Sequence, residues 1–336
     1  MRIACYNVEW FDRLFDDEGQ LQRDTCWSGR RGVKRADQAK ALGHVFQRID
    51  ADAIMVIEAP DDHQHRSGTR ALENFAKAYD LRSCKALIGF TNTTQQEIAL
   101  LYDPTKLTAT HDPIGALGDP VPPFNETYQI DLDIDSRADS VRFSKPPLEL
   151  AIETAAGNNL RMIGAHLKSK APHGAHNAAE VMRLSIANRR KQLAQAVWLR
   201  ARVEEHLDAG EALMVLGDLN DGPGLDEYEN LFGRSSVEII LGEIGCPCLY
   251  DPHAARALAR KIGGEPTTSR FFLKKDNRYL QALLDYIMVS DDLRYKAKPW
   301  RIWHPFDDPE CWEDLKLRDA LLTASDHFPV TLDLDF

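Results

Sequence analysis

Polar side chains that could do chemistry recur in this chain where apolar runs end or begin. Carboxylate and amide oxygens are the ligands that hard divalent cations prefer, and a histidine beside a carboxylate can hold or move a proton near neutral pH. Hydrolysis of a phosphate ester needs such a cation, an oriented water and a proton carrier. The residues are Asn7, Glu58, His166, Asp218 with Asn220, Asp285, and Asp326 with His327. Their types favour metal-assisted hydrolysis of a phosphate ester.

Each of these positions also has an ordinary structural explanation. Asp and Asn are common turn formers, so a single acidic residue at the end of a strand carries little weight. Repeated placement of polar side chains at strand ends is different, because functional sites gather on loops that a rigid sheet positions. The repetition along one chain therefore favours a site over a set of unrelated turns.

The apolar patterns predict the elements that would position these residues. A strand over 2–7, a helix over 33–49 and a continuous apolar run at 53–57 open the chain, and the last of these favours a strand buried on both faces. Further helices are predicted at 69–79 and 177–208. Further strands are predicted at 83–89, 97–102, 106–111, 148–154, 160–165, 211–216, 270–274, 281–289, 298–303 and 328–335.

The chain of 336 residues is long enough for one large domain or two smaller ones. Residues 112–140 are rich in Pro, Gly and Asp and show no core pattern. The candidate residues lie on both sides of this segment, so a long loop within one domain spanning 1–336 is expected rather than a linker.

Composition narrows the class of protein. The net charge of −11 argues against a protein that coats duplex DNA, although a nuclease can surround a metal with a few basic loops. No apolar run approaches the roughly 20 residues that span a bilayer, and the first residues leave no room for a signal peptide. We therefore expect a cytoplasmic protein without a transmembrane segment.

Six scattered cysteines argue against a disulfide scaffold, and Cys246 and Cys248 with His253 are too few for a zinc site.

In chain order the motifs resemble those of the endonuclease/exonuclease/phosphatase superfamily, the deoxyribonuclease I-like hydrolases. The resemblance spans nearly the whole chain, and the order of the motifs makes it specific. It implies an α/β fold, a four-layer sandwich of two packed mixed β-sheets flanked by helices. The motifs are Tyr6-Asn7-Val8-Glu9-Trp10-Phe11, Val56-Ile57-Glu58, Glu97-Ile98-Ala99-Leu100-Leu101-Tyr102, Gly164-Ala165-His166-Leu167-Lys168-Ser169-Lys170, Gly217-Asp218-Leu219-Asn220-Asp221, Leu284-Asp285-Tyr286-Ile287 and Ser325-Asp326-His327-Phe328-Pro329.

The resemblance also implies roles for individual residues. Glu58 would be the main ligand of Mg²⁺ or Mn²⁺, with Asn7 and Asp326 close to the metal. Asp218 would handle the attacking water, and Asn220 would orient water or a phosphate oxygen. His327, paired with Asp285, would contact the scissile phosphate or act as general base, and His166 would stabilise charge or protonate the leaving oxygen. Whether the aspartate or the histidine takes the proton stays open.

Two positions depart from the family pattern. Ile57 stands where the family often has Gln before the metal-binding Glu, which removes a polar neighbour. Lys145 begins a Lys-Pro-Pro-Leu segment where many bacterial members have Arg, and lysine lacks the bidentate fork of arginine. We expect Lys145 and Lys168 to contact the substrate phosphate.

Three functions remain in competition. The first is a nuclease acting on DNA or RNA, favoured by the residue set and by basic loops near Trp10 and Trp27. The second is a phosphatase or phosphodiesterase for a small-molecule or lipid phosphate, favoured by the acidic net charge. The third is a catalytically silent binding module. The sequence identifies no protein partner, and we expect loops 12–32, 112–147 and 242–280 to select the substrate.

Overall fold

Two six-stranded sheets form the centre of the structure, a computed structural model that describes residues 1–131, 138–172, 174–223, 233–243, 245–259, 266–274 and 276–336. The first sheet has the spatial order Ala297–Ile302 (β15), Val330–Leu334 (β16), Arg2–Asn7 (β1), Ala53–Pro60 (β2), Gln96–Tyr102 (β4) and Lys85–Ile88 (β3). The second has the order Leu249–Tyr250 (β11), Asp285–Ser290 (β14), Leu213–Asp218 (β10), Asn159–His166 (β9), Leu148–Thr154 (β8) and Leu107–His111 (β5).

Two short ribbons and the helices surround these sheets. The ribbons pair Tyr128–Ile130 (β6) with Asp139–Val141 (β7), and Ser269–Leu273 (β12) with Arg278–Ala282 (β13). The helices that the described residues form, with one 3₁₀ turn at Phe11–Leu14, are Arg35–Ile49 (α1), Gly68–Ala78 (α2), Ala178–Asp208 (α3), Ser236–Leu241 (α4), Pro252–Leu258 (α5), Asp291–Arg294 (α6), Pro309–Glu313 (α7) and Leu315–Ala324 (α8).

Three hydrophobic cores separate four layers. One core joins α1, α2 and α8 to the first sheet, and a second joins α3, α4 and α5 to the second sheet. The third core lies between the sheets and contains Ile3, Met55 and Leu216. Both sheets mix parallel and antiparallel pairs, so the predicted four-layer α/β sandwich is confirmed.

The sheets approach each other closely at Gly164. A Cβ atom at this position would lie 2.4 Å from Met55 Sδ on the opposite sheet, well inside van der Waals contact. Because interiors are packed at crystal-like density, a side chain here would force Met55 and Ile98 to move. The glycine therefore lets these side chains of the first sheet pack directly against β9.

Most predicted elements are confirmed with small shifts at their ends, but two segments differ. The predicted strand 281–289 is two strands, because Thr268 Oγ1 accepts hydrogen bonds from the N–H groups of Leu284 and Asp285, both at 3.0 Å, where the chain turns. Segment 112–140 does contribute to the core, since Phe124 is fully buried against Trp198 with ring centroids 5.5 Å apart. Residues 132–137 of that segment lie outside the described part of the chain.

None of the helices in the described ranges is both long and apolar enough to cross a membrane.

Candidate active site

The strand ends that carry the predicted residues meet at one edge of each sheet. In the second sheet Asp218 lies opposite His166 on one side and Asp285 on the other. Side chains alternate along a strand, and Asp218 shares its face with Met214 and Leu216, which pack between the sheets. The same alternation turns the side chains of His166 and Asp285 towards the first sheet.

Asn7 joins the two sheets at this edge. It ends β1 on the face of Ile3 and Cys5, which belong to the core between the sheets. Its Nδ2 donates to Asp218 Oδ2 at 2.9 Å. Its Oδ1 is buried and accepts no hydrogen bond from any described residue. A buried amide oxygen without a donor is costly, and a cation ligand would satisfy it.

Glu58 reaches the same edge because β2 is irregular there. The alternation that places Met55 and Ile57 between the sheets would turn residue 58 towards the helices. A β-bulge between Ile57 and Ala59, with Glu58 at φ 62°, changes this direction. Glu58 Oε2 then accepts hydrogen bonds from the backbone N–H of Trp10 at 3.0 Å and from Gln96 Nε2 at 2.5 Å. Gln96, from β4, thus supplies the polar neighbour that Ile57 removes.

His327 is held by neighbours on both sides of its ring. Its Nδ1 lies 2.7 Å from Asp285 Oδ2, so the ring donates to the carboxylate, and its Nε2 lies 3.9 Å from Asp218 Oδ2. Ser325 Oγ accepts from the backbone N–H of His327 at 3.1 Å and donates to Asn7 O at 2.8 Å. The turn before β16 is therefore attached to the end of β1.

Burial and neighbouring charge act in opposite directions on His327 and Asp218. Burial lowers the pKa of His327, but the carboxylates of Asp285 and Asp218 outweigh it and raise the pKa well above the ordinary value. Burial raises the pKa of Asp218 to about 7 against the opposing charge of His327. A cationic imidazole and a carboxyl that titrates near neutrality thus face each other. We call the place where Asn7, Asp218, Asp285 and His327 meet the seam between the sheets.

His166 is held in the neutral form. Burial lowers its pKa well below the ordinary value, and the positive charges of Lys145 and His327 add to the effect. Lys145 Nζ lies 3.1 Å from His166 Nδ1 and also donates to Gln96 Oε1. Because an ammonium can only donate, Nδ1 accepts and the ring proton resides on Nε2, which lies 3.6 Å from Asp218 Oδ2. His166 therefore presents an N–H group to the centre of the site.

The other predicted residues lie around this centre. Asn220 donates from its backbone N–H to Asp218 Oδ1 at 2.8 Å and from Nδ2 to Leu167 O at 3.1 Å. Burial raises the pKa of Asp326 to about 7, with further contributions from the charges of Glu9 and Glu58. Lys168 is half-buried, and burial together with the charge of Lys191 lowers its pKa.

Two sets of side chains could hold a cation. Asp218, Asp285 and His327 bring one ligand atom each within 4.8 Å of one another. In that set Asp285 and the Nδ1 atom of His327 are already paired with each other, and a protonated imidazole does not bind a metal. The second set, Asn7, Glu58 and Asp326, offers only oxygen atoms and fits a hard divalent cation better. Asn7 Oδ1 lacks a hydrogen-bond donor. A cation would also offset the negative charge of Glu58, which contributes to the raised pKa of Asp326.

Sequence reasoning missed two supporting residues. Gln96 links Glu58 to Lys145, and Thr268 fixes the backbone of Asp285. Arg30, from the basic loop near Trp27, forms an ion pair with Glu9 beside the end of β1. Gln96 begins β4 opposite Pro60, so its place beside Glu58 follows from strand pairing. The sequence gives no comparable signal for Thr268.

The raised pKa of Asp326 predicts that the metal-free protein loses folding stability as the pH rises. A carboxyl whose folded pKa lies above its unfolded value stabilises the fold at low pH, and that stability is lost as pH rises from about 4 to about 7. Asp326→Asn should therefore stabilise the metal-free protein at pH 8 by about 1–3 kcal/mol, and less as pH falls towards 4. Thermal unfolding in EDTA at several pH values measures the difference.

The exposed substitution Asp17→Asn is the control, because it makes the same change of charge away from the buried site. Mg²⁺ should raise the unfolding temperature of wild type and of Asp17→Asn more than that of Asp326→Asn. If Asp326→Asn is less stable than wild type at pH 8 in EDTA, the ionised carboxylate of Asp326 does not destabilise the metal-free fold as its raised pKa implies.

Comparison with known proteins identifies the family and the fold. The model of the Endonuclease/Exonuclease/phosphatase family matches residues 4–327. No curated protein sequence matches the chain. The structure is similar to that of TDP2 from C. elegans, with 14% identity, a TM-score of 0.51, and coverage of 98% of this chain and 74% of that one.

Two further solved structures are similar over the full length of both chains, each with 100% coverage and a TM-score of 0.51. They are the 3′ phosphatase NExo from Neisseria bound to a product DNA hairpin, at 13% identity, and the mannosyl-6-phosphatase Bt3783 from Bacteroides thetaiotaomicron, at 14% identity. At these identities the similarity establishes the fold alone.

Proposed function

Because this chain belongs to the endonuclease/exonuclease/phosphatase family, we propose that it is a Mg²⁺- or Mn²⁺-dependent phosphoesterase that acts on nucleic acid. The observation that carries the proposal is the seam between the sheets. There the His327 ring lies between the carboxylates of Asp285 and Asp218. Asn7, which donates to Asp218, and Glu58 supply oxygen ligands on the same edge. One domain spanning 1–336 would contain all of these parts.

Asn7, Glu58 and Asp326 would hold the cation. When bound, it would offset the charge of the phosphate and help to orient a water for in-line attack. The two carboxylates bring the negative charge that a divalent ion requires, and Asn7 Oδ1 is the buried oxygen without a donor.

Asp218 and His327 divide the proton chemistry between them. Asp218, with a pKa of about 7, accepts the proton of the attacking water at neutral pH, and Asn220 helps to hold that carboxylate. His327 stays charged because of Asp285, so it binds a phosphate oxygen and stabilises the negative charge that grows on it. This division answers, as a proposal, the question that the sequence leaves open.

His166 serves the leaving oxygen. Its Nε2–H group points into the site, so it can donate a hydrogen bond to the oxygen that departs. Lys145 fixes this tautomer, and we assign it that role in place of the direct phosphate contact expected from the sequence. Lys168 remains a candidate for phosphate contact.

Lys145→Met should lower kcat by about 10- to 100-fold with little change in KM, because His166 loses the donor that keeps its proton on Nε2. Steady-state kinetics with bis-p-nitrophenyl phosphate give the split between kcat and KM, and ¹⁵N NMR of the histidine rings reports the tautomer. Lys191→Met, which removes an exposed lysine charge on α3, is the control. A rise in KM with unchanged kcat would mean that Lys145 binds the phosphate directly.

A small-molecule or lipid phosphate is the second candidate substrate, and the net charge of −11 favours it. Metal-stripped protein should be incubated with supercoiled plasmid, single-stranded DNA, RNA and bis-p-nitrophenyl phosphate, each with and without Mg²⁺ or Mn²⁺. Metal-dependent cleavage of a nucleic acid supports the nuclease, and turnover of the small ester alone supports the second candidate. Metal-independent binding of a partner with no hydrolysis of any phosphate ester would favour a binding module.

A further inference from the structure

A strip of aromatic side chains, each paired with a cationic side chain, lies beside His327. Its first half is the β12–β13 ribbon, where the Arg270 guanidinium lies 3.5 Å from the ring centroid of Tyr279 and the Tyr279 ring contacts Phe272 at 5.2 Å. Its second half is the loop before α1, where Arg31 lies 4.2 Å from Phe272 and Lys34 lies 3.2 Å from Trp27. We call these six residues, Trp27, Arg31, Lys34, Arg270, Phe272 and Tyr279, the aromatic–cation strip.

The strip is attached directly to the candidate active site. The backbone N–H of Arg270 donates to Asp326 O at 2.7 Å, and the ring of the neighbouring Phe271 meets His327 edge-on at 5.4 Å. On the loop side, Arg30 pairs with Glu9, which follows the end of β1. A ligand that extends from a phosphate at His327 would therefore pass over the strip.

The strip remains accessible to solvent. Trp27 is 63% exposed and Tyr279 is 50% exposed, although large aromatic side chains are usually well buried. Within the described part of the chain, Arg31 and Arg270 face rings and are in no ion pair, whereas Arg278 on the same ribbon lies 3.6 Å from Asp276. Exposed rings with uncompensated cations in a chain of net charge −11 point to an anionic ligand.

We propose that the aromatic–cation strip binds unpaired nucleotides on one side of the scissile phosphate, which makes a single-stranded or locally unpaired nucleic acid the substrate. Aromatic rings bind bases by stacking, and neighbouring cations bind the phosphates between them. Bases in a duplex are stacked on each other and offer no free face, so the strip selects unpaired strands. This inference rests on the proposed function for the position of the scissile phosphate.

An anionic membrane is the rival ligand. Surfaces that enter a bilayer present a continuous apolar face with Trp, Phe or Leu. On the strip each ring is instead paired with a cation, and Leu280 is the exposed aliphatic residue of the ribbon. The pairing of each ring with a cation fits a strand of bases and phosphates better than it fits lipid.

Binding tests the inference separately from catalysis. Fluorescence anisotropy with a fluorescein-labelled single-stranded oligodeoxynucleotide in EDTA measures affinity without cleavage. Tyr279→Ala and Trp27→Ala should each weaken binding on the order of tenfold, and Tyr279→Phe should bind like wild type because it keeps the ring. Tyr295→Ala is the matched control, since this tyrosine is 86% exposed but follows the opposite end of β14. Arg31→Gln should reduce the salt slope of the binding constant by about 0.7.

Three results would overturn the strip as a nucleic-acid site. The first is equal affinity of wild type, Tyr279→Ala and Trp27→Ala for the oligonucleotide, and the second is tighter binding of the annealed duplex. The third is loss of binding to phosphatidylserine vesicles in both alanine variants without loss of oligonucleotide binding. Failure of the proposed function would look different, because wild type would then bind the oligonucleotide through the strip yet hydrolyse no phosphate ester with Mg²⁺ or Mn²⁺.

Discussion

His327→Ala should lower kcat/KM for any phosphate ester by about 10³-fold or more while the fold stays intact. The substitution removes the buried cation that faces Asp218 across the seam. The negative charge that develops on the phosphate in the transition state then lacks the imidazolium that stabilises it. Asp285→Asn should have a smaller effect in the same direction. It keeps the shape of the Asp285–His327 pair but removes the charge that raises the pKa of His327. The alkaline limb of the pH profile should therefore move to lower pH.

Initial rates with bis-p-nitrophenyl phosphate across a pH series measure both effects, and circular dichroism reports whether the fold is retained. His44→Ala is the matched control, because it removes a histidine from the outer helix α1. Near-normal turnover by folded His327→Ala would rule out the assigned site. An unchanged alkaline limb in Asp285→Asn would show that the carboxylate does not control the charge of His327.

Asp218→Asn should also cost about 10³-fold in kcat/KM, because the amide cannot accept a proton from water. The pH profile identifies the role of the carboxylate. In wild type the rate should rise with pH through about 7 as Asp218 loses its proton, and fall at higher pH as His327 loses its own. The residual rate of Asp218→Asn should lack the acid limb.

Asp251→Asn provides the control for this variant. Burial also raises the pKa of Asp251 to about 6, but its carboxylate accepts hydrogen bonds from the backbone N–H groups of His253, Ala254 and Ile287, so its variant should retain the acid limb near pH 7. If Asp218→Asn keeps that limb and loses only a few-fold in rate, His327 rather than Asp218 takes the proton from water.

The sequence alone predicts the sheets and the edge at which the site forms. Apolar runs such as 53–57 identify buried strands, and the residue that ends each run is the one brought to the edge. Both faces of these strands are apolar, so the structure is needed to show that Asn7 and Asp218 share a face with residues of the core between the sheets.

The remaining features depend on contacts between distant segments. Glu58 reaches the site through a bulge that breaks the alternation of β2, and no composition cue marks a bulge at a non-glycine residue. The break at Leu284 depends on Thr268 from the preceding ribbon. The role that we propose for Lys145 depends on Gln96 and His166 lying within reach of one ammonium group. Local sequence contains none of this information.

The place of the last strand has a consequence for the growing polypeptide. β16 lies between β15 and β1, and the turn before it carries His327. Ser325, which bonds the carbonyl of Asn7, is synthesised 318 residues after it. A chain still under translation, or one truncated before His327, has no partner for that edge of β1 and no cationic histidine at the seam. The hydrolysis that we propose for this site can therefore begin only after His327 has been made.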